Sequence, residues 1–164
     1  MKTVIYPGTF DPLTTGHLDL IRRSSENFPH IVVAVAGSTH KRPLFTLEER
    51  VEMARLAVRG LPQAGKIEVE TFEGLLVDYM RSRKATIALR GLRAISDFDY
   101  EFQQAQMNRK LYSAYEIIYM MPDERYTYVS SSLVKEVAAL GGDVSDLVPP
   151  EIIPMLLAKF NRTP

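Results

Sequence analysis

The sequence predicts an α/β fold: a Rossmann-like doubly wound sheet of about five parallel strands with helices on both faces, in a single domain spanning residues 1–164. Three observations carry that expectation. Short β-branched runs alternate with helical periodicities along the whole chain, as βαβ units require. The 164 residues suffice for one full core and are too few for two typical domains. The Gly-, Ser- and Arg-rich segments all follow strands, and open α/β sheets bind ligands at the carboxyl ends of their strands.

The first strand is placed at Thr3 to Tyr6, where the residues are β-branched or aromatic. It leads into the run Tyr6-Pro7-Gly8-Thr9-Phe10-Asp11-Pro12-Leu13-Thr14-Thr15-Gly16-His17, and then into a helix from Gly16 to Phe28 with Leu18, Ile21, Ser25 and Phe28 at helical spacing. A second strand follows at Ile31 to Ala36. Thr46-Leu47-Glu48-Glu49 has the capping-box pattern and opens a helix from Leu47 to Arg59, whose apolar face is Val51, Ala54, Leu56 and Val58; Gly60 suits its end. Further strands are expected at Ile67 to Phe72, Thr86 to Leu89 and Glu116 to Met120, and further helices at Leu75 to Arg83, Asp97 to Lys110 and Ser131 to Leu140. A last helix opens at Pro149-Pro150, where proline is tolerated, and runs through Ile153, Leu156 and Leu157 despite Pro154.

Composition narrows the function. The formal net charge is zero, so no global basic field recruits nucleic acid or an acidic membrane, and any anion site must be local. With no cysteine there is no disulfide framework, thiol nucleophile or Cys-based zinc site. The longest apolar run, Ile31 to Ala36, is far below membrane-spanning length, and the expected location is cytoplasmic. The P-loop pattern and the G-x-G-x-x-G fingerprint are both missing, which disfavours P-loop kinase and hydride-transfer chemistry. His17, His30 and His40 are not spaced as metal ligands, so any Mg²⁺ would ride on substrate phosphates.

Candidate residues cluster after the strands. His17 is expected in the first turn of a helix, where free backbone N–H groups and the helix dipole favour an anion. Thr hydroxyls and exposed amides around Thr9 add further phosphate donors. Lys41 and Arg42, after the second strand, could cover a second phosphate. Arg90-Gly91-Leu92-Arg93 sets two guanidinium forks about a glycine, a match for phosphate oxygens or for surface carboxylates. In Val129-Ser130-Ser131-Ser132 one serine can cap the helix and the others face an anion; Tyr126 and Tyr128 could wall a nucleobase. Glu101 sits among Asp97 and Asp99, as dipole-favoured acids of a first turn would.

Gly8-Thr9-Phe10-Asp11-Pro12 with Thr14-Thr15-Gly16-His17, together with Ser130 to Lys135, resembles the T-x-G-H and I-S-S-T-x-x-R signatures of the nucleotidyltransferase superfamily, which shares its Rossmann-like fold with class I aminoacyl-tRNA synthetases. More closely, Thr46 to Arg50, Arg90 to Arg93, Asp97 to Glu101 and Ser130 to Glu136, in this order and spacing, resemble the bacterial phosphopantetheine adenylyltransferase family over nearly the whole chain. The resemblance implies transfer of AMP from ATP to 4′-phosphopantetheine, giving dephospho-coenzyme A and pyrophosphate. By matching positions it implies that Thr9, Phe10, His17, Gly91, Leu92, Arg93, Glu101, Tyr126, Thr127, Tyr128, Val129, Ser130, Ser131 and Ser132 contact ATP, with His17 stabilising the transition state. It assigns Thr9, Lys41, Leu76 and Arg90 to phosphopantetheine. A homohexamer and feedback binding by coenzyme A are also implied. Lys135 departs from the wider signature, which has Arg there. Two other readings compete: a small nucleotidyltransferase with a different acceptor, and a nucleotide-sensing module that binds ATP without turnover.

Overall fold

The computed structural model describes residues 2–37 and 42–161. Five strands form one fully parallel sheet: β1 (Thr3–Gly8), β2 (His30–Ala36), β3 (Ile67–Phe72), β4 (Ile87–Gly91) and β5 (Glu116–Met120), in the order β3-β2-β1-β4-β5. The helices are α1 (Thr15–Asn27), α2 (Leu47–Arg59), α3 (Leu76–Ser82), α4 (Ile95–Leu111), α5 (Ser131–Leu140) and α6 (Ile153–Ala158), with short 3-10 turns at Ala64–Lys66, Glu124–Tyr126 and Pro150–Ile152. The expected doubly wound architecture is present, and the chain is a single domain.

Alternation along the strands divides the core into two layers. Val4 and Tyr6 of β1, with Ile31, Val33 and Val35 of β2, pack against α1, α2, α5 and α6. Ile5, Val32 and Ala34 point the other way, onto Val77 and Met80 of α3 and onto Tyr115. Strands buried on both faces read as continuous apolar runs, which is why Ile31 to Ala36 shows no polar alternation.

Several boundaries differ from the sequence expectation for identifiable reasons. The first strand was expected to stop at Tyr6, yet β1 continues through Pro7 and Gly8. A residue's N–H and C=O point to the same side in a parallel strand, so the donor Pro7 lacks falls on the β4 side. There the ladder has ended, since β1 and β4 pair only through Val4↔Ile87 and Ile5↔Ala88. The last helix is divided: Ile153 donates to the Pro150 carbonyl in a 3-10 turn, and α6 begins only then, because Pro154 has no N–H to continue an α-helical ladder. On α2 the buried apolar residues are Val51, Met53, Ala54, Ala57 and Val58, joined by buried Arg50; Leu56 is only half-buried.

Capping boxes close the starts of two helices, α1 and α2. The Thr46–Glu49 capping box forms, with Thr46 N–H donating to Glu49 Oε2 at 2.8 Å and Glu49 N–H to Thr46 Oγ1 at 3.2 Å. A second box, unanticipated, lies at the start of α1: Thr14 caps it and His17 occupies the third helical position.

Candidate active site

Strand order reverses at β1, and the crevice between the separated carboxyl ends of β1 and β4 is a cleft of about 480 Å³. That volume suits a small-molecule ligand. Its floor is the turn after β1. Gly8 is required there: a Cβ would lie 2.8 Å from Phe10 Cζ. Phe10 itself adopts the left-handed backbone region at φ 50°, which turns its ring under Gly8 and edge-on to His17, with centroids 5.2 Å apart.

The capping box at α1 settles the state of His17. The Thr14 backbone N–H donates to His17 Nδ1 at 3.0 Å, so Nδ1 is the acceptor and the neutral ring carries its proton on Nε2. Burial, and then the Arg93 and Arg90 guanidinium groups, pull the His17 pKa down to about 4. His17 is therefore a neutral hydrogen-bond donor at pH 7, not an imidazolium. A proton fixed on Nε2 suits it to stabilise developing negative charge while leaving the proton in place.

Arg90 and Gly91 were expected in a loop; they are the last two residues of β4. Arg90 reaches across the opened crevice to donate to the Pro7 carbonyl at 3.0 Å. Its other nitrogens form a two-point pair with Glu101, Nε to Oε2 at 3.0 Å and Nη2 to Oε1 at 2.5 Å. Glu101 is not a first-turn surface acid: it is the one residue of α4 that is buried. Arg93 pairs with Asp97 and donates to the Val129 carbonyl at 3.4 Å, joining the β4 and β5 sides of the cleft.

The serine segment divides its work. Ser130 caps α5 by accepting from Leu133 N–H at 3.1 Å, Ser131 donates to the Pro12 carbonyl at 2.8 Å, and exposed Ser132 lines the cleft. Lys135, one turn into α5, forms a 2.5 Å ion pair with Asp11. Burial pushes the Asp11 carboxyl up, but Lys135 and the amides of Phe45 and Leu44 outweigh it and hold it below the usual carboxylate range. The cleft thus gathers Arg42, Arg90, Arg93 and Lys135 against Asp11, Asp97 and Glu101 among the described residues, a local excess of positive charge on a chain of zero net charge.

Of the residues singled out from sequence, Thr9, Phe10, His17, Arg90, Gly91, Arg93, Glu101, Tyr126, Val129, Ser130, Ser131 and Ser132 line this cleft. Leu92, Thr127, Tyr128 and Leu76 are not among its walls. Leu92 donates its N–H to the Met120 carbonyl and extends the sheet; Tyr128 is 62% exposed. Leu76 packs under β2 and β3 on the opposite face, since β3 is the edge strand and its loop lies two strands from β1. Lys41 and His40 lie outside the described residues.

Two supports of the site escaped the sequence reading. Asp19 is buried on α1, accepting from Asp123 N–H at 3.0 Å and pairing with Arg22 and Arg23; Arg23 also donates to the Met121 carbonyl at 2.7 Å, so α1 grips the segment leading to Tyr126. Arg50 is the other. It sits at i, i+4, i+7 and i+8 with Ala54, Ala57 and Val58, a charge on an apolar face, and that was the available signal.

Comparisons with known proteins identify the family and the fold. Residues 5–137 match the cytidylyltransferase-like family. A phosphopantetheine adenylyltransferase of Oleidesulfovibrio alaskensis is 53% identical over 98% of this chain and 92% of its own length. Another, of Alkalilimnicola ehrlichii, is 52% identical over 96% and 90%. The fold is shared with the Plasmodium falciparum nicotinic acid mononucleotide adenylyltransferase complexed with NaAD, with a TM-score of 0.72 at 18% identity over 98% of this chain and 99% of that one. With its site residues assembled at the switch point of the sheet and more than half its residues shared along nearly its full length, the chain belongs to the phosphopantetheine adenylyltransferase family and is an adenylyltransferase.

Proposed function

We propose that the enzyme transfers the adenylyl group of ATP to 4′-phosphopantetheine, releasing pyrophosphate and dephospho-coenzyme A, a step of coenzyme A synthesis. The observation that carries this reading is the neutral His17, held by Thr14 with its proton on Nε2, in one cleft with Arg90 and Arg93. The names of the two relatives support the choice of acceptor.

The chemistry suits this donor set. A phosphomonoester has a second pKa of about 6, so the acceptor arrives mostly dianionic at pH 7 and needs no general base. An acceptor phosphate oxygen attacks the α-phosphorus, and the bond from that phosphorus to the bridging oxygen of the β-phosphate breaks, with the electron pair leaving on pyrophosphate. No covalent enzyme intermediate forms. Positioning and charge stabilisation are what remain for the protein to supply. His17 donates from Nε2 to an α-phosphate oxygen. Arg90 and Lys41 neutralise the acceptor phosphate, and the pantetheine arm extends past the cleft walls toward Leu76. Arg93 and the segment Tyr126 to Ser132 receive the rest of ATP, with Thr9 between the two substrates.

Magnesium is proposed to enter with ATP. Among the described residues no group of three or more His, Asp or Glu side chains forms a ligand set, and the cleft acids Asp11, Asp97 and Glu101 are each paired to a cation. Mg²⁺ would shield the polyphosphate, and the residues that hold it indirectly are those that hold the phosphates.

Self-association is proposed as well, in the form of a homohexamer. Support comes from α4, whose Ile95, Phe98, Tyr100, Phe102, Met107 and Leu111 are exposed, with Phe98 and Phe102 stacked at 5.8 Å. Coenzyme A carries both halves of the product and would compete for the same cleft as a feedback ligand. A cytoplasmic location completes the proposal; among the described residues no helix is long and apolar enough to cross a membrane.

An acceptor panel tests the assignment. Pyrophosphate release from ATP is expected with 4′-phosphopantetheine and not with nicotinamide mononucleotide, nicotinate mononucleotide or glycerol 3-phosphate. Turnover with one of those acceptors instead would overturn the substrate, and ATP binding without release under any acceptor would favour the sensing module.

A further inference from the structure

Arg50 on α2 is only 2% exposed, and among the described residues it forms no ion pair. An arginine so placed is costly unless its donors are satisfied. Nη1 and Nε are met by backbone carbonyls from three separate segments. Nη1 donates to Thr9 O and to Ala36 O, each at 2.8 Å, and Nε to Phe45 O at 3.3 Å. One side chain therefore joins the turn after β1, the carboxyl end of β2 and the residue just before the α2 cap.

Asp11 reaches in the opposite direction across the same junction. From the turn after β1 its carboxylate accepts from Leu44 N–H at 3.0 Å and Phe45 N–H at 2.9 Å. The two side chains fasten the Thr9–Asp11 turn to the approach to α2 from both sides. Thr9 lines the cleft; Arg50 does not. A lysine at this position could carry the charge but not the planar fork that reaches separate carbonyls.

We infer that Arg50 is a positioning residue for adenylyl transfer: by holding the Thr9 carbonyl it sets where the Thr9 hydroxyl and the neighbouring amides meet the reacting phosphates, without touching substrate. The inference rests on the proposed placing of those phosphates over the Thr9 turn. Misplacement of about 1 Å at such a site can cost on the order of 10²-fold in rate.

The test compares Arg50→Met and Arg50→Lys with the parent enzyme, using ATP, Mg²⁺ and 4′-phosphopantetheine, with kcat expressed per folded enzyme from circular dichroism and thermal melting. A loss of about 10²-fold in kcat is expected for Arg50→Met, accompanied by a rise in KM for ATP of several-fold, and Arg50→Lys should recover part of the kcat. A purely structural residue would lower the melting temperature and the folded fraction but leave both KM values and the kcat of the folded molecules unchanged; that result overturns the inference. Failure of both variants to fold assigns Arg50 to folding alone and overturns it too. Parent enzyme that is inactive with 4′-phosphopantetheine sinks the substrate assignment instead, and the ATP-induced rise in melting temperature then decides the role of Arg50: retained in Arg50→Met at parental size, it contradicts positioning.

Discussion

At the scale of single residues, protonation and pairing decide what the cleft can do. His17 is neutral because burial and two guanidinium groups oppose its charge, so its contribution to kcat/KM, which reports the free enzyme, should not titrate between pH 5 and 8. His17→Ala is expected to lower kcat by about 10² to 10³, the range for loss of one preorganised donor, while ATP still binds. A kcat within threefold of the parent enzyme would remove His17 from the chemistry. The same depressed pKa has a consequence for stability. Its folded value, about 4, lies below the reference 6.5, so the unfolded chain binds the extra proton first and stability falls as pH drops from 6.5 toward 4. His17→Asn should flatten part of that decline in thermal melts across this window. Glu101→Gln separates two roles for Glu101. If its work is to hold Arg90, KM for the acceptor rises several-fold and KM for ATP changes little. The reverse pattern would make Glu101 an ATP contact.

At the scale of elements, helix starts and tight turns build the site. Thr46→Ala removes one half of a formed capping box and is expected to cost about 1 kcal/mol in denaturant unfolding, with kcat largely kept. Gly8→Ala acts differently. Its Cβ would press on the Phe10 ring that braces His17, so a stability loss of about 1–3 kcal/mol should come with a loss of turnover out of proportion to it. Undiminished turnover in folded Gly8→Ala protein would show that the Phe10 brace is dispensable. The strands and the Thr46 box were legible because β-branched runs and capping patterns are local. Pro7 misled, since a proline usually ends a central strand, and only the divergence of β1 from β4 makes it harmless. The Arg90–Glu101 pair was not legible: its partners come from a strand and the following helix, and no spacing rule links them.

At the scale of the molecule, strand order decides which loops meet. The sequence alternation implied a parallel sheet, but the order β3-β2-β1-β4-β5 depends on which strands pair, and nothing within a strand encodes that. Loops after β1, β4 and β5 therefore converge as expected, whereas Gly74 to Leu76 lies away at the edge strand. The exposed apolar face of α4 is the other whole-molecule feature. Replacing both Phe98 and Phe102 by Glu should shift the protein to smaller species in light scattering, and an unchanged mass would exclude that face from assembly.

The most direct test of the central claim is to run the reaction with ATP of known configuration at a labelled α-phosphorus and with 4′-phosphopantetheine, and then to determine both the identity and the phosphorus configuration of the product. One in-line displacement guided by His17, Arg90 and Arg93 predicts a dephospho-coenzyme A product with inverted phosphorus. Retention would demand a covalent adenylyl-enzyme, and the absence of that product would contradict the proposed acceptor.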